Sequence, residues 1–262
     1  MYSLEHKKYL RKLTKNKIIV IVSQVLLLSV LIFLWELAAQ QKWINTFIYS
    51  SPSKILNTIV GLHNANNLYQ HIFTTVYETI ISFSLATIIG VFVATILWWN
   101  KTLYKVLDPF LTVLNSLPKV ALGPIIIIWM GANIKSIIFM AILVSVIITI
   151  INTYQGFINT DINKIKLLKS FGANKFQILT KVIFPSNYSN IISMLKINVS
   201  MCLIGVIMGE LLVSKQGIGY LIMYGSQIFN LSLVMSGIIL LALIATIMYY
   251  LVYYIEKLVI KN

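Results

Sequence analysis

Acidic residues are scarce in this sequence: 7 Asp+Glu stand against 21 Lys+Arg, and charge of both signs occupies only 11% of 262 positions. A soluble domain of that length carries about a quarter charged residues. Hydrophobic residues take up 58% instead, more apolar surface than one soluble core can hide, so the expected solvent is a bilayer. A net charge of +14 would also suit a nucleic-acid partner. The lysines argue against one, because they lie between the apolar runs and not on them.

Cysteine is nearly absent too. Cys202 is the single one and sits within an apolar run, which excludes a disulfide framework or a cysteine metal site. The three histidines, His6, His63 and His71, have no metal-ligand spacing. No glycine is followed by lysine, so the phosphate-binding loop G-x-x-x-x-G-K-[ST] is missing. There is no H-E-x-x-H and no nucleophile–histidine constellation. The chain is therefore expected to be no enzyme, to hold no metal or cofactor, and to draw any energy from a partner subunit.

What is present is a series of six apolar segments of about 20 residues, each long enough to cross: 18–39, 75–99, 106–130, 134–153, 191–213 and 231–254. Lipid cannot satisfy open backbone groups, so each is expected to be helical, giving an all-α, polytopic bundle of six transmembrane helices. The third and fourth, separated by little more than Gly131-Ala132-Asn133, form an antiparallel hairpin. The organisation reads as a cytoplasmic segment 1–17, a first span 18–39 (an uncleaved anchor, since the run outlasts a signal-peptide core), an outer loop 40–74, a five-span core 75–254 and a cytoplasmic tail 255–262.

Lysines set the orientation. With the N-terminus inside, the inner segments hold Lys7, Lys8, Arg11, Lys12, Lys15 and Lys17, then Lys101 and Lys105, then Lys164, Lys166, Lys169, Lys175 and Lys181, then Lys257 and Lys261; the outer ones hold only Lys42, Lys54, Lys135 and Lys215. Both termini are expected in the cytoplasm. Trp35, Trp43, Trp98, Trp99 and Trp129 fall near span ends, as an aromatic belt requires. In the outer loop, Ser51-Pro52-Ser53 precedes a periodic stretch 55–62, which predicts a short serine-capped interfacial helix.

The inner loop 156–190 is the most informative stretch. Thr160 or Asp161 can cap a helix carrying Ile162, Ile165, Leu168 and Phe171 at helical spacing. Gly172 is placed to take positive φ at its end. Asn174 can cap a second helix with Phe176, Leu179 and Val182/Ile183 on its apolar face, which Pro185 is expected to end. Periodicity alone leaves two readings open: an elbow that docks in a groove of a soluble partner, or an interfacial loop lying on the headgroups.

Charges within or near spans are functional candidates because lipid burial is costly. Lys119 lies between Pro118 and Pro124, where the third span should kink. It reads either as a pore lysine meeting an anion or as a helix-break lysine satisfied by nearby carbonyls. Glu210, ahead of the Gly217-Ile218-Gly219 turn, is a gate or binding-protein contact, or an interfacial group in water. Gly217 and Gly219 hinge an outer gate or simply turn the chain. Glu36 and Glu78 read as snorkelling or interfacial, and Lys196 as an inner anchor. Gly205 and Gly209 form a small-x-x-x-small pattern for close helix packing.

Gly172, nine residues, Val182, one residue, then Phe184-Pro185 resembles the loop E-A-A-x3-G-x9-I-x-L-P of binding-protein-dependent permeases, with Lys166-Leu167-Leu168 in place of Glu-Ala-Ala. Asp108-Pro109-Phe110, Leu114 to Pro124, Trp129-Met130-Gly131, Glu210-Leu211-Leu212 and Gly217 to Ile222 resemble the branch serving nitrate, taurine, aliphatic sulfonates and some thiamine precursors. The resemblance covers about residues 51–254. It implies the membrane permease subunit of an ATP-driven importer of the type I fold, with Lys166, Leu167, Leu168, Gly172, Ala173, Phe176, Val182, Phe184 and Pro185 in the ATPase-coupling loop. It further implies ATP-binding cassette subunits and an extracytoplasmic binding protein or lipoprotein as partners, a homodimer within membrane lipid, and a path or gate using Pro118, Lys119, Pro124, Glu210, Gly217 and Gly219. A small anion such as sulfonate, taurine or nitrate is the first expectation for substrate; a thiamine-precursor pyrimidine or other small heterocycle is the second. A channel or carrier working without ATP, and a membrane scaffold whose elbow recruits a soluble partner, are rivals from other classes.

Overall fold

The first 40 residues contain neither proline nor glycine, and Leu4–Gln40 folds as one helix, α1. The computed structural model describes residues 4–260, which are all-helical, with no strand among them. Lys261 and Lys7, Lys8 and Arg11 of the charge argument lie outside the described residues or their described side chains. Two short helices follow: α2 (Thr46–Tyr49) and α3 (Pro52–Asn64). As its sequence predicts, α3 starts at a serine cap, the Ser51 hydroxyl accepting from the Lys54 N–H at 3.3 Å.

The core contains α4 (Leu68–Trp99), α5 (Lys101–Ser116), a 3-10 turn (Lys119–Leu122), α6 (Gly123–Met130) and α7 (Ile134–Ile158). The elbow helices α8 (Ile162–Ser170) and α9 (Lys175–Ile178) come next, then a π-helical turn (Leu179–Ile183) and α10 (Phe184–Val213). Finally come α11 (Ile218–Gln227) and α12 (Leu231–Ile260). Five stretches are long and apolar enough to cross a membrane alone: 12–40, 68–99, 134–158, 175–213 and 231–258. The expected third span is instead a broken pair, α5 and the turn with α6, bent by 90°. Pro118 caps that turn and Pro124 opens α6, so the break falls where two prolines each remove a backbone donor.

Side-chain register decides whether the bent pair crosses. The Ser82 hydroxyl donates to the Ile138 carbonyl at 3.5 Å, Gly90 lies against Thr149, and Ala94 and Leu97 share a core with Tyr154 and Phe157. Helices α4 and α7 thus advance together, parallel. The last residue of α4 and the first of α7 therefore lie at opposite ends of the bundle, so α5 to α6 must carry the chain across. With the bent pair counted as one span, the described residues offer six candidate crossings.

Helix α10 runs against both neighbours. Its Cys202 thiol donates to the Ser145 hydroxyl at 3.1 Å. A Cβ on Gly205 would come within 2.5 Å of the Ala141 Cα, and one on Gly209 within 3.0 Å of the Ile137 Cα. The small-x-x-x-small pattern is therefore a backbone-to-backbone contact with α7. Midway, the Asn198 amide donates to the Thr87 hydroxyl at 2.6 Å and accepts from Thr149 at 3.1 Å, joining α4, α7 and α10. By contrast, no residue in the apolar window of α1 is buried. One tie to the bundle is Glu36, whose carboxylate accepts from the Ser53 N–H at 3.0 Å and the Ser53 hydroxyl at 2.9 Å.

Candidate functional site: a protruding elbow and a buried carboxylate

The elbow forms as its local sequence dictates. The Asp161 carboxylate accepts from the Asn163 N–H at 2.8 Å and caps α8. Gly172 takes φ of 77°, and the bonds from Gly172 N–H to Lys169 and from Ala173 N–H to Leu168, 2.9 and 3.0 Å, close a Schellman motif. Asn174 and Gln177 then cap α9 reciprocally, at 2.9 and 2.8 Å. The loop is also tied down. Lys175 Nζ donates to the Trp99 carbonyl and stands 5.2 Å from the Trp99 ring, Asn187 donates to the Thr160 hydroxyl at 2.7 Å, and Phe184 packs edge-on against Phe157 at 5.3 Å.

Those ties separate the motif residues by role. Val182 is buried and Phe184 half-buried, both packed into the body of the bundle. Leu168 and Ala173 are half-buried against the same core. Lys166, Leu167 and Phe176 are exposed, with Phe176 at 61% and Phe171 at 79%. Phe171 therefore does not join Ile165 and Leu168 on an inward stripe; it projects away from the bundle.

Pro185 corrects the sequence expectation. It does not end the helix, and residues 175–213 are one unbroken helical stretch. Proline has no N–H to give to the carbonyl four residues back and its ring crowds that carbonyl. The preceding turn is widened to a π geometry, in which the Phe184 N–H reaches the Leu179 carbonyl. The widened turn lets a proline at the start of α10 be absorbed without a break.

At the far end of the bundle, Glu210 is not in water and Glu78 does not snorkel: each is 1% exposed. The Thr75 hydroxyl donates to Glu210 Oε1 and the Gly219 N–H to Oε2, both at 2.6 Å. Thr75 Oγ1 accepts from the Ile218 N–H at 2.9 Å, and His71 Nδ1 accepts from the Gly217 N–H at 3.0 Å. The Glu78 carboxyl lies beside that of Glu210, and its Oε2 has no hydrogen-bond partner. Space is made by glycine: a Cβ on Gly217 (φ 101°) would fall 2.3 Å from the Glu210 carboxyl, and one on Gly219 2.6 Å from the Glu210 Cβ. The Gly217–Gly219 turn is thus the first turn of α11, held onto α4 and α10 by a carboxylate.

The sequence reading missed His71, Thr75 and Glu78 as partners of Glu210. Their signal was available, since His71, Thr75, Glu78 and Ser82 recur at spacings of four, three and four on an otherwise apolar span and so mark one helix face. Lys119 is half-buried at the bend, and its Nζ donates to the Asn115 carbonyl at 3.2 Å and amide oxygen at 3.4 Å. Lys196 is ion-paired with Glu256 of α12.

A sequence model described as the binding-protein-dependent transport system inner membrane component matches residues 86–261. The chain belongs to that family. Among its relatives, a probable ABC transporter permease protein of Haemophilus influenzae is 26% identical over 86% of this chain and 91% of its own length. The putative aliphatic sulfonates transport permease SsuC of Bacillus subtilis is 26% identical over 84% and 80%. The formylaminopyrimidine transport permease ThiX of Halalkalibacterium halodurans is 26% identical over 72% and 75%. A chain of the methionine ABC transporter MetNI, solved in an inward-facing conformation, superposes with a TM-score of 0.65 at 17% identity, covering 74% of this chain and 95% of that one. That likeness speaks to the fold. Family membership makes the chain a multi-pass inner-membrane permease subunit of an ABC importer, as the elbow motif implied.

Proposed function

We propose that two copies of this chain, each with its elbow and both termini in the cytoplasm, pair about an axis normal to the membrane and form a substrate path between them. Two ATP-binding cassette subunits grip the elbows, and ATP is hydrolysed there; an extracytoplasmic binding protein delivers solute to the opposite face. Closure of the ATPases rocks the bundles by rigid-body motion between inward-open and outward-open. The bend at Pro118, Lys119 and Pro124 borders the path, and the α11 turn held by Glu210 is its outer gate. Lysine asymmetry supports the orientation, and closed two-fold pairing is the commonest symmetry of oligomers.

One observation carries this reading: Phe171 and Phe176 stand exposed on a loop anchored to α4, α7 and α10. Exposed aromatics on a rigid support are what docking needs, since little conformational freedom is lost on binding. The test is co-purification of the ATPase with the wild-type chain and with Phe171→Ala/Phe176→Ala. Loss of the ATPase from the variant is expected. Undiminished recovery with normal uptake would sink the docking assignment.

The solute named for relatives varies, from aliphatic sulfonates to formylaminopyrimidine and riboflavin. The anion expectation rested on the branch resemblance and, weakly, on Lys119, whose ammonium is here engaged by Asn115. What supports the class, a small polar solute, is the set of relatives as a whole.

A further inference from the structure

A cavity of about 570 Å³ opens between α7 and α10 at the elbow end. Its lining is unusual for a helix pair in a membrane: five carboxamides face it, Asn152 and Gln155 from α7, Asn159 just past its end, and Asn187 and Asn190 from α10. Gly156 lies at its base, where a Cβ would come within 2.3 Å of the Asn190 amide nitrogen and 2.8 Å of the Asn187 amide oxygen. Glycine is what lets those amides approach α7 so closely. Asn187 is spent on structure, donating to Thr160 and to the Ile183 carbonyl at 2.7 and 2.9 Å. Among the described residues, the side chains of Asn152, Gln155, Asn159 and Asn190 make no hydrogen bond.

Asn152 lies six residues before the end of α7, about 9 Å in at 1.5 Å per residue. Asn152 is half-buried there while Gln155, Asn159 and Asn190 are exposed; unengaged amides are costly against lipid, so this face must look onto water. The cavity has room for a single-ring solute and its hydration, within the 300–1,000 Å³ usual for small-molecule sites. Its charged members are one acid and one base, Asp161 and Lys164. An anion site would instead present an excess of Arg, Lys or aimed N–H groups.

We infer that this carboxamide cleft is a release-side solute site, and that it takes a planar solute without net charge bearing both hydrogen-bond donors and acceptors, such as an amino- or acylamino-heterocycle. Each free amide offers a donor pair and an acceptor, so several can read the edge of such a ring at once. A sulfonate or nitrate would satisfy only the NH₂ groups and leave the amide oxygens unpaired. The inference rests on the importer reading above, and it names the solute class for the path proposed there.

The test uses the assembled transporter in lipid nanodiscs, without the binding protein, and saturation-transfer NMR with two probes, formylaminopyrimidine and ethanesulfonate. Saturable binding of formylaminopyrimidine is expected, with none for ethanesulfonate. Gln155→Leu/Asn190→Leu should weaken it by about tenfold, the equivalent of ~1.4 kcal/mol. Asn190→Asp, which keeps the shape and removes the donors, should weaken it in the same direction. Both positions are exposed, so folding is not at stake. Equal or tighter binding of ethanesulfonate, no saturable binding of the pyrimidine, or full affinity in the variants would overturn the proposal. Co-purification of the ATPase with the wild-type chain is scored separately: its failure would count against the importer reading itself, whichever probe binds.

Discussion

Thr75 on α4 and Glu210 on α10, 135 residues apart in the chain, meet through a 2.6 Å hydrogen bond in a site that excludes water. The same threonine accepts from Ile218 at the start of α11, so one hydroxyl joins three helices. Glu210→Ala would strand the Thr75 hydroxyl and the Gly219 N–H, each costing about 1–3 kcal/mol when buried unpaired. A loss of about 3 kcal/mol is expected, read as a lowered unfolding midpoint in detergent. Glu210→Gln, which retains one acceptor oxygen, should lose less. Equal midpoints for wild type and Glu210→Ala would refute the latch.

Glycine positions divide into crowded and open ones. Gly205→Val drives its side chain into the Ala141 backbone, and overpacking of this kind costs about 1–3 kcal/mol or more; a folded yield far below wild type is expected by size-exclusion chromatography. Gly61, inside α3, has nothing within 4 Å of where its Cβ would stand. Gly61→Ala should leave the protein as stable or raise stability by about 0.4–1 kcal/mol, because the unfolded chain loses freedom.

At Gly172 the obstacle is conformational. Its surroundings are open, but φ is 77°, a region that costs a non-glycine residue roughly 1–2 kcal/mol and is worst for a β-branched one. Gly172→Val is expected to open the Schellman turn and lose the ATPase in pull-down. Gly172→Asn, a residue that tolerates left-handed backbone, should keep most of it. If valine and asparagine behave alike, the turn geometry does not matter for coupling.

Topology can be read with thiol labelling, since Cys202 is fully buried and should stay silent. With a membrane-impermeant maleimide on intact cells, Lys54→Cys is expected to react and Lys166→Cys only after permeabilisation. Labelling of Lys166→Cys from outside would reverse the orientation and put the elbow beyond reach of any ATPase.

Lys119→Met tests whether the bend lysine serves structure or solute. Its ammonium holds the Asn115 carbonyl at the end of α5, a bond worth about 1 kcal/mol net. A small fall in stability with unchanged uptake kinetics in proteoliposomes is expected. An apparent solute affinity weakened by tenfold, ~1.4 kcal/mol, with unaltered stability would instead make the Lys119 ammonium a direct solute contact at that bend.

Locally encoded features were legible in the sequence. Asp161, Gly172 and Asn174 act within three residues of themselves, so cap, stop and restart could be read directly, as could the serine start of α3. Tertiary features were not. Glu78 and Glu210 look like span-end acids until α4, α10 and α11 are packed together. Pro185 looks like a terminator unless the preceding turn widens, which no single residue announces. The break in the third span was foreshadowed by Pro118 and Pro124, but its right angle depends on packing, and the helical form of α11 was masked by reading Gly217 to Gly219 only as a turn.

Because the π turn lets the chain pass Pro185 without interruption, the end of the elbow and the Glu210 latch are opposite ends of a single lever. Its 39 residues extend about 58 Å at 1.5 Å each. A tilt of about ten degrees pivoting at the lower end would swing the upper end by about 10 Å. Leverage of that size would turn a slight nudge at the elbow into a large stroke at the opposite end of the bundle.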